Sequence, residues 1–209
     1  PEPMKVMLAR GQLVFPGPNS SSKFRVEDIS NSLRDPNLPS NTLVVVPAML
    51  SSFFEQEDRR TTNQQFPRAR MLLIGGQSAS REILRRCKSS FPNARIVQTY
   101  ACTEAASSMT YLSLTGNAPI PSTPPESGPN GICVGSPPSH VELMICRKSA
   151  DRATSKHKPI TKPYELGLIA TRGPHVMNGY WERGRQGIAT KKSDNRWFIS
   201  SDLGFWDDQ

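Results

Sequence analysis

The sequence predicts an α/β fold, in which βα units on a mostly parallel sheet precede a small antiparallel, partly barrel-like β-unit. Three observations lead to this prediction. Between residues 42 and 98, short apolar runs alternate with amphipathic stretches, as in parallel βα units. The 19 prolines and 14 glycines indicate many turns and exposed loops rather than a helical bundle. Beyond residue 131, short alternating segments replace this pattern.

The first elements are predicted to be two strands and two helices. Gln12–Phe15 is a short β-type run closed by a Pro-Gly-Pro turn. Apolar residues at 26, 29 and 33 predict one amphipathic helix over residues 26–33. Thr42–Val46 has the composition of a strand buried on both faces. Pro47 then suits the first turn of a helix that extends toward Gln56.

The following segment repeats the order of strand, helix and strand. Arg70–Ile74 is predicted to be a second buried strand. Ser80 is suited to cap a helix over Arg81–Lys88, and Arg95–Gln98 is predicted to be a third strand. Two loops, Gly75–Ser78 and Tyr100–Glu104, follow the carboxyl ends of these strands. Parallel sheets bind their ligands at that edge.

The second half of the chain is predicted to be a separate β-rich unit. We expect an α/β subdomain over residues 1–115, a linker loop over 116–130 and a β-rich subdomain over 131–209. The basic stretch Arg147–Lys162 is expected to be a mobile surface loop. The expected short strands of this unit are Gly131–Val134, Val141–Cys146, Leu166–Thr171 and Arg196–Ser200.

Composition narrows the possible functions. The net charge of +8 is scattered along the chain and accompanies no nucleic-acid-binding motif, so we expect no nucleic-acid partner. No apolar run is long enough for a transmembrane helix. The four cysteines lack metal-ligand spacing, which argues against zinc and predicts reduced thiols inside the cell.

Three segments together carry a resemblance: Gln98–Ala105, Gly167–Pro174 continuing to Asn178–Trp181, and Trp197–Gly204. Their order and separation resemble core motifs of the adenylate-forming superfamily, which includes acyl- and aryl-CoA synthetases. Within this superfamily, the sequence is most similar to plant-type 2-succinylbenzoate–CoA ligases. The segments that carry this closer likeness are Val46–Leu50, Thr103–Thr110, Gly131–Gly135 and Arg172–Met177.

The resemblance implies an acid–CoA ligase of phylloquinone or menaquinone synthesis that uses ATP, Mg²⁺ and CoA through an acyl-AMP intermediate. A plant-type ligase implies a chloroplast or peroxisome, and otherwise the cytoplasm. Two alternatives stay open: a different acyl- or aryl-CoA synthetase, and a non-catalytic fragment or degenerate paralogue that binds nucleotide or partners. The phosphate loop and the C-terminal lid of the family are expected to lie outside these 209 residues. The segment alone is therefore expected to show little or no turnover.

The resemblance also implies roles for individual residues. Thr103 would donate its hydroxyl to the α-phosphate, and Glu104 would hold Mg²⁺, a cation that prefers oxygen ligands. Asp202 would accept bonds from the ribose hydroxyls. The residues implied at or beside adenine are Gly75, Gly76, Gln77, Tyr100 and Ala101, and those implied at the acyl group are Ser107 and Ser108.

Each residue also has a structural interpretation. Tyr100 could be a core tyrosine at a strand end, and Gly75 and Gly76 a simple turn. Thr103 with Glu104 could be a capping pair at a helix start. The remaining polar residues could be turn or strand positions, and His140 and His175 are interpreted as isolated.

Three positions depart from the family pattern. Ala101 stands in place of a glycine, Ser201 replaces another glycine, and Gln77 stands where a small residue is usual. A positive φ at Ala101 would cost about 1 kcal/mol or more, and Gln77 could crowd the adenine pocket.

Overall fold

The computed structural model describes residues 25–38, 40–60, 65–106, 108–114, 119–121, 129–147, 158–181 and 197–208. The chain divides into two compact units, Pro1–Tyr100 with Leu112–Ile120 and Ala101–Tyr111 with Pro121–Gln209. The elements are α1 (Val26–Arg34), β1 (Thr42–Val45), α2 (Pro47–Asp58), β2 (Met71–Ile74), α3 (Arg81–Ser90), β3 (Arg95–Ala101), β4 (Ser108–Leu114), β5 (Glu142–Cys146), β6 (Gly167–Arg172) and β7 (Phe198–Gly204).

A four-stranded sheet in the order β1-β2-β3-β4 confirms the predicted βα architecture. Strand β1 pairs parallel to β2, with Thr42 opposite Met71, and β2 pairs parallel to β3, with Met71 opposite Arg95. Helices α2 and α3 connect these strands, as a parallel sheet requires. Both begin as predicted: Pro47 lies in the first turn of α2, and the Ser80 side chain accepts the Ile83 amide of α3 at 3.2 Å.

Aromatic packing forms the centre of the first unit's core. The Phe53 ring, 2% exposed, lies 5.5 Å from that of Phe54, 5.3 Å from that of Phe66 and 5.9 Å from that of Phe91, all centroid to centroid. Complete burial of such a side chain contributes about 1.5–3 kcal/mol. This cluster therefore anchors α2 against the segment before β2 and against the residue that follows α3.

A buried carboxylate links α1 to α2 in the same unit. Glu57 is 7% exposed, and its two oxygens accept the Ser30 hydroxyl at 2.6 Å and the Arg34 guanidinium at 2.7 Å. A second guanidinium, that of Arg60, lies 3.5 Å away. The buried charge is therefore both paired and hydrogen-bonded, which burial of a carboxylate requires.

The prediction that the strand Thr42–Val46 is buried on both faces is wrong. Strand β1 has the expected position, but Val44 is 54% exposed and only Val45 is buried among its residues. Thr42 and Val44 share one face of the strand and are both exposed, so the described residues cover only the face that carries Leu43 and Val45. On that covered face, Leu72 and Ile74 of β2 lie opposite Leu43 and Val45 and are completely buried.

The second unit contains the expected antiparallel sheet, in the order β5-β6-β7. Glu142 lies opposite Arg172, and Thr171 lies opposite Phe198. The prediction of a strand over 131–134 is wrong, because none of these four residues is in a β-strand. Instead, the carbonyl of Val134 accepts the Thr110 hydroxyl at 2.7 Å.

Several expectations fall partly or wholly outside the described residues. The run Gln12–Phe15 lies outside them, as do most of the expected linker and residues 148–157 of the basic loop. The ends of that loop are paired: Arg147 N donates to Lys158 O at 3.1 Å and Ile160 N to Ile145 O at 2.7 Å. The expected domain boundaries stay predictions. Among the described helices, none has the length and apolar composition to cross a membrane.

Candidate functional site

The loop after β2 depends on two glycines. The Gly75 amide donates to the carbonyl of Val45 at 3.1 Å, and a Cβ at Gly75 would lie 3.0 Å from Thr99 Oγ1. Gly76 has φ +80°, a conformation that side chains with a Cβ rarely adopt. Gln77 follows with an exposed side chain. Gly75 and Gly76 thus add no side chain of their own where β2 ends, and the side chains of Thr99 and Val46 lie close to them.

Strand β3 is longer than predicted and contains Tyr100 and Ala101, which were expected in a loop. Ile74, the last residue of β2, lies opposite Gln98, so β3 continues for three residues beyond its neighbour. The strand has β4 on its other side, which allows this extension. Tyr100 is half-buried in the strand. Ala101 is not among the residues with positive φ, so it carries no strain of that kind.

Residues Thr103–Ala105 of the second unit form a short 3₁₀ turn rather than the start of a helix. The Ala105 amide donates to Cys102 O at 3.2 Å, and the Ala106 amide donates to Thr103 O at 3.1 Å. Ala106 closes the turn in the left-handed region, at φ 54°. The turn leaves the Thr103 side chain exposed and that of Glu104 half-buried. A capping pair is therefore not the role of these two residues.

Two hydrogen bonds tie Glu104 to the segment that follows β6 within the same unit. The Met177 amide donates to the backbone carbonyl of Glu104 at 2.7 Å. The Tyr180 hydroxyl donates to Oε1 of the carboxylate. Both the backbone and the side chain of Glu104 are thus held by residues more than 70 positions later.

These contacts change the acidity of the groups around the turn. The hydrogen bond from Tyr180, with a smaller contribution from Glu104's own amide, holds the pKa of Glu104 below its usual value. The same bond raises the pKa of Tyr180. Burial raises the pKa of the nearby Cys102 thiol. The turn therefore presents an anionic carboxylate beside a neutral thiol at neutral pH.

Asp202 lies on an irregular part of β7. Leu168 pairs with Leu203 and Ala170 pairs with Ile199, so Ile169 of β6 faces three residues of β7, Ser200 to Asp202. The buried Ser200 hydroxyl accepts the Asp202 amide at 3.2 Å, while the Asp202 side chain is exposed. Such bulges redirect side chains beside functional sites. Ser201 has no positive φ, so this backbone does not require the glycine of the family pattern.

The other predicted residues have simpler surroundings. Ser108 is the half-buried first residue of β4, and Ser107 lies outside the described residues. The interpretation of the two histidines as isolated is wrong. His175 Nε2 lies 2.8 Å from Thr171 Oγ1, and its ring centroid lies 6.4 Å from that of His140.

The predicted residues thus fall into two sets. Gly75, Gly76 and Tyr100 belong to the first unit, whereas Thr103, Glu104 and Asp202 belong to the second. Tyr180 lies in one of the three segments that carry the resemblance, which implies no role for it. The available signal was an aromatic pair directly after Gly179, in a segment otherwise poor in aromatic residues.

Comparison with known proteins places this arrangement in a family. The family model of the AMP-binding enzymes matches residues 4–181. The chain belongs to the AMP-binding enzyme family. The match includes both loops and the Glu104–Tyr180 contact, and it ends before β7.

Several curated members of the AMP-binding family resemble the chain. It is 33% identical over 178 residues to the 2-succinylbenzoate–CoA ligase, chloroplastic/peroxisomal, of Arabidopsis thaliana, covering 79% of this chain and 29% of that enzyme. It is 28% identical over 190 residues to the 2-succinylbenzoate–CoA ligase of Bacillus subtilis, covering 90% of this chain and 32% of that enzyme. The chain thus spans about a third of these relatives.

Solved structures of the family share the fold. The o-succinylbenzoate CoA synthetase of Bacillus subtilis in complex with ATP and magnesium ion matches with a TM-score of 0.60 and 26% identity, over 89% of this chain and 33% of that one. The same enzyme with its acyl-adenylate intermediate also matches with a TM-score of 0.60 and 26% identity, over 89% of this chain and 32% of that one. These matches confirm the predicted fold class.

Proposed function

We propose that the protein is an ATP-dependent acid–CoA ligase that activates 2-succinylbenzoate through an acyl-AMP intermediate. The observation that carries the proposal is the similarity to the Arabidopsis thaliana ligase over 178 residues. The Thr103–Ala105 turn, with an exposed hydroxyl beside an anionic carboxylate, supplies groups suited to a nucleotide phosphate and its cation.

The first unit is proposed to contribute the adenine-binding groups. The backbone of Gly75 and Gly76 has no Cβ to keep a flat ring away, and Gln77 of the same loop is proposed to lie beside the adenine. Tyr100 supplies an aromatic face of the kind that stacks on a purine. The exposed Gln77 side chain would be the element that adjusts the fit to the ring edge.

The second unit is proposed to contribute the ribose, phosphate and acyl groups. The Asp202 carboxylate can accept hydrogen bonds from both ribose hydroxyls. The Thr103 hydroxyl can donate to the α-phosphate. Ser108, together with Ser107, would bond polar atoms of the acyl substrate.

The described donors fit Mg²⁺ and not a metal held by the protein alone. No group of three or more His, Cys, Asp or Glu side chains in the described part of the chain could hold a metal ion. Mg²⁺ commonly takes one or two carboxylates and completes its coordination with substrate phosphates and water. Glu104 would hold the ion, which when bound supplies positive charge to the phosphates.

The proposed chemistry has two half-reactions. In the first, a carboxylate oxygen of the acid attacks the α-phosphorus of ATP, the bond to the β-phosphate oxygen breaks, and pyrophosphate leaves. Thr103 would stabilise the negative charge that develops on the α-phosphate oxygens. In the second, the CoA thiolate attacks the acyl carbonyl carbon, the bond to AMP breaks, and the thioester forms.

The cellular site of this reaction follows the relatives. The name of the Arabidopsis thaliana enzyme places that protein in the chloroplast and peroxisome. We propose the same organelles for this protein, within phylloquinone or menaquinone synthesis. Fluorescence microscopy of the tagged full-length protein tests this assignment, and secretion from the cell would contradict it.

The decisive experiment follows pyrophosphate release by the full-length protein with ATP, Mg²⁺ and one acid at a time. Release with 2-succinylbenzoate, and little with 4-coumarate or a fatty acid, is the expected result. The coumarate arm matters because a 4-coumarate–CoA ligase of Glycine max is 30% identical over 139 residues. Faster pyrophosphate release with 4-coumarate would contradict the proposed substrate. No pyrophosphate release with any acid would overturn the ligase function.

A further inference from the structure

The contact between Tyr180 and Glu104 is a specific long-range bond rather than a consequence of core packing. The two residues are 76 positions apart, and Tyr180 is 57% exposed. An exposed phenol can bond water instead, so the bond to one chosen carboxylate oxygen needs a structural cause.

The backbone around Tyr180 supplies that cause. The Met177 amide is bonded to the Glu104 carbonyl, which places this segment alongside the turn. Gly179 has φ +150°, which only glycine adopts readily, and it sets the direction of the next residue. The chain is therefore shaped to bring the Tyr180 hydroxyl to the carboxylate.

We propose that Tyr180 is a positioning residue, whose hydroxyl fixes Oε1 of Glu104 and thereby orients the carboxylate toward the cation that accompanies ATP. This inference rests on the proposed function. A glutamate that is already fixed loses less side-chain entropy when it binds a ligand. Carboxylates that bind metals are commonly held by such neighbours, and loss of the neighbour weakens metal affinity about 10–100-fold.

The second unit offers a matched control. The Tyr164 hydroxyl donates to Oδ1 of Asp208 at 2.5 Å, which is also a bond between a phenol and a carboxylate. Tyr164→Phe therefore removes the same kind of bond and the same oxygen atom as Tyr180→Phe, but at a carboxylate with no proposed role. Any general effect of losing a phenol hydroxyl will occur in both variants.

The test measures binding rather than turnover. Calorimetry on the full-length protein gives the Kd of α,β-methylene-ATP, which cannot release pyrophosphate, in EDTA and in excess Mg²⁺. The ratio of the two values is the gain due to the metal. We expect Tyr180→Phe to reduce this gain about tenfold and to leave the Kd of AMP in EDTA unchanged. Tyr164→Phe should match the wild type in both measurements.

Each other outcome contradicts a defined claim. In one outcome, the Mg²⁺-dependent gain in affinity of Tyr180→Phe is within twofold of the wild-type gain, while Glu104→Gln abolishes it. This outcome overturns the role of Tyr180 and leaves the proposed function standing. In another outcome, Tyr180→Phe loses affinity for AMP in EDTA by the same factor as it loses the Mg²⁺-dependent gain. This outcome shows a general structural role and also overturns the positioning role. A wild-type protein with no metal-dependent gain overturns both the inference and the metal assignment of Glu104.

Discussion

The Met177 amide donates a hydrogen bond of 2.7 Å to the backbone carbonyl of Glu104. This bond holds the Thr103–Ala105 turn through its main chain and does not involve the carboxylate. Changes to the Glu104 side chain can therefore remove charge without releasing the turn. The proposed roles of the turn can for this reason be tested by isosteric substitution.

Glu104→Gln is expected to lower Mg²⁺-dependent pyrophosphate release at least about 100-fold. Loss of a neighbour of a metal ligand costs up to about that factor, and loss of the ligand's charge should cost no less. The affinity for AMP in EDTA should stay unchanged. Glu142→Gln is the control, since its carboxylate binds Arg172 in the same unit. Full pyrophosphate release by Glu104→Gln would contradict the metal role.

Asp202→Ala is expected to weaken AMP binding at least about 100-fold, because it removes two charge-assisted hydrogen bonds worth about 1.5–3 kcal/mol each. The sharper measurement compares AMP with its 2′,3′-dideoxy analogue by calorimetry. The wild type and the control Asp208→Ala should prefer AMP, whereas Asp202→Ala should bind both nucleotides equally. A preference for AMP that survives in Asp202→Ala would place the ribose elsewhere.

Glu57→Gln is expected to lower the free energy of unfolding by about 2 kcal/mol. The buried carboxylate accepts bonds from Ser30 and Arg34, and a neutral amide leaves one of these donors poorly satisfied. The midpoint of urea denaturation should fall at constant slope. Glu82→Gln is the matched control: its pair with Arg85 is exposed and should contribute little. Equal midpoints for the two variants would contradict this role of Glu57.

The Cys87 thiol is expected to make stability fall as pH rises above 9. Burial raises its pKa to about 12, so the folded protein keeps the proton that the unfolded chain releases from about pH 9. The unfolded state then binds fewer protons, and stability decreases by up to about 1.4 kcal/mol per pH unit in this window. Denaturation of wild type and Cys87→Ala at pH 8 and pH 10 checks this. The wild type should lose more stability over that interval, and parallel losses would contradict it.

Local sequence signals were sufficient for most helices and parallel strands. Ser80 and Pro47 mark helix starts through bonds and φ values that lie within one turn, so their effects need no tertiary context. The strand predictions failed where the burial or the length of a strand depends on the elements packed or paired against it. The exposure of Val44 depends on which face of β1 is covered by other elements, and the length of β3 depends on pairing with two other strands. Neither fact is encoded in the residues of the strand itself.

The candidate site shows the same division. The resemblance identified Thr103, Glu104 and Asp202 because short motifs contain them. The bond from Tyr180 to Glu104 joins residues 76 positions apart, and the register shift that carries Asp202 depends on how β7 aligns with β6. Both are properties of pairing between distant segments. A single sequence contains no local pattern for them.

In a regular strand, side chains alternate between the two faces every second residue. The irregular alignment of β7 with β6 means that the orientation of Asp202 does not follow this alternation. Loss of two residues between Ile199 and Leu203 would restore an even ladder and leave the neighbouring pairs intact. Because only Ser200, Ser201 and Asp202 lie between those residues, such a deletion would displace or remove the carboxylate. If Asp202 has its proposed role at the ribose, a chain with a shortened β7 is therefore expected to bind AMP more weakly.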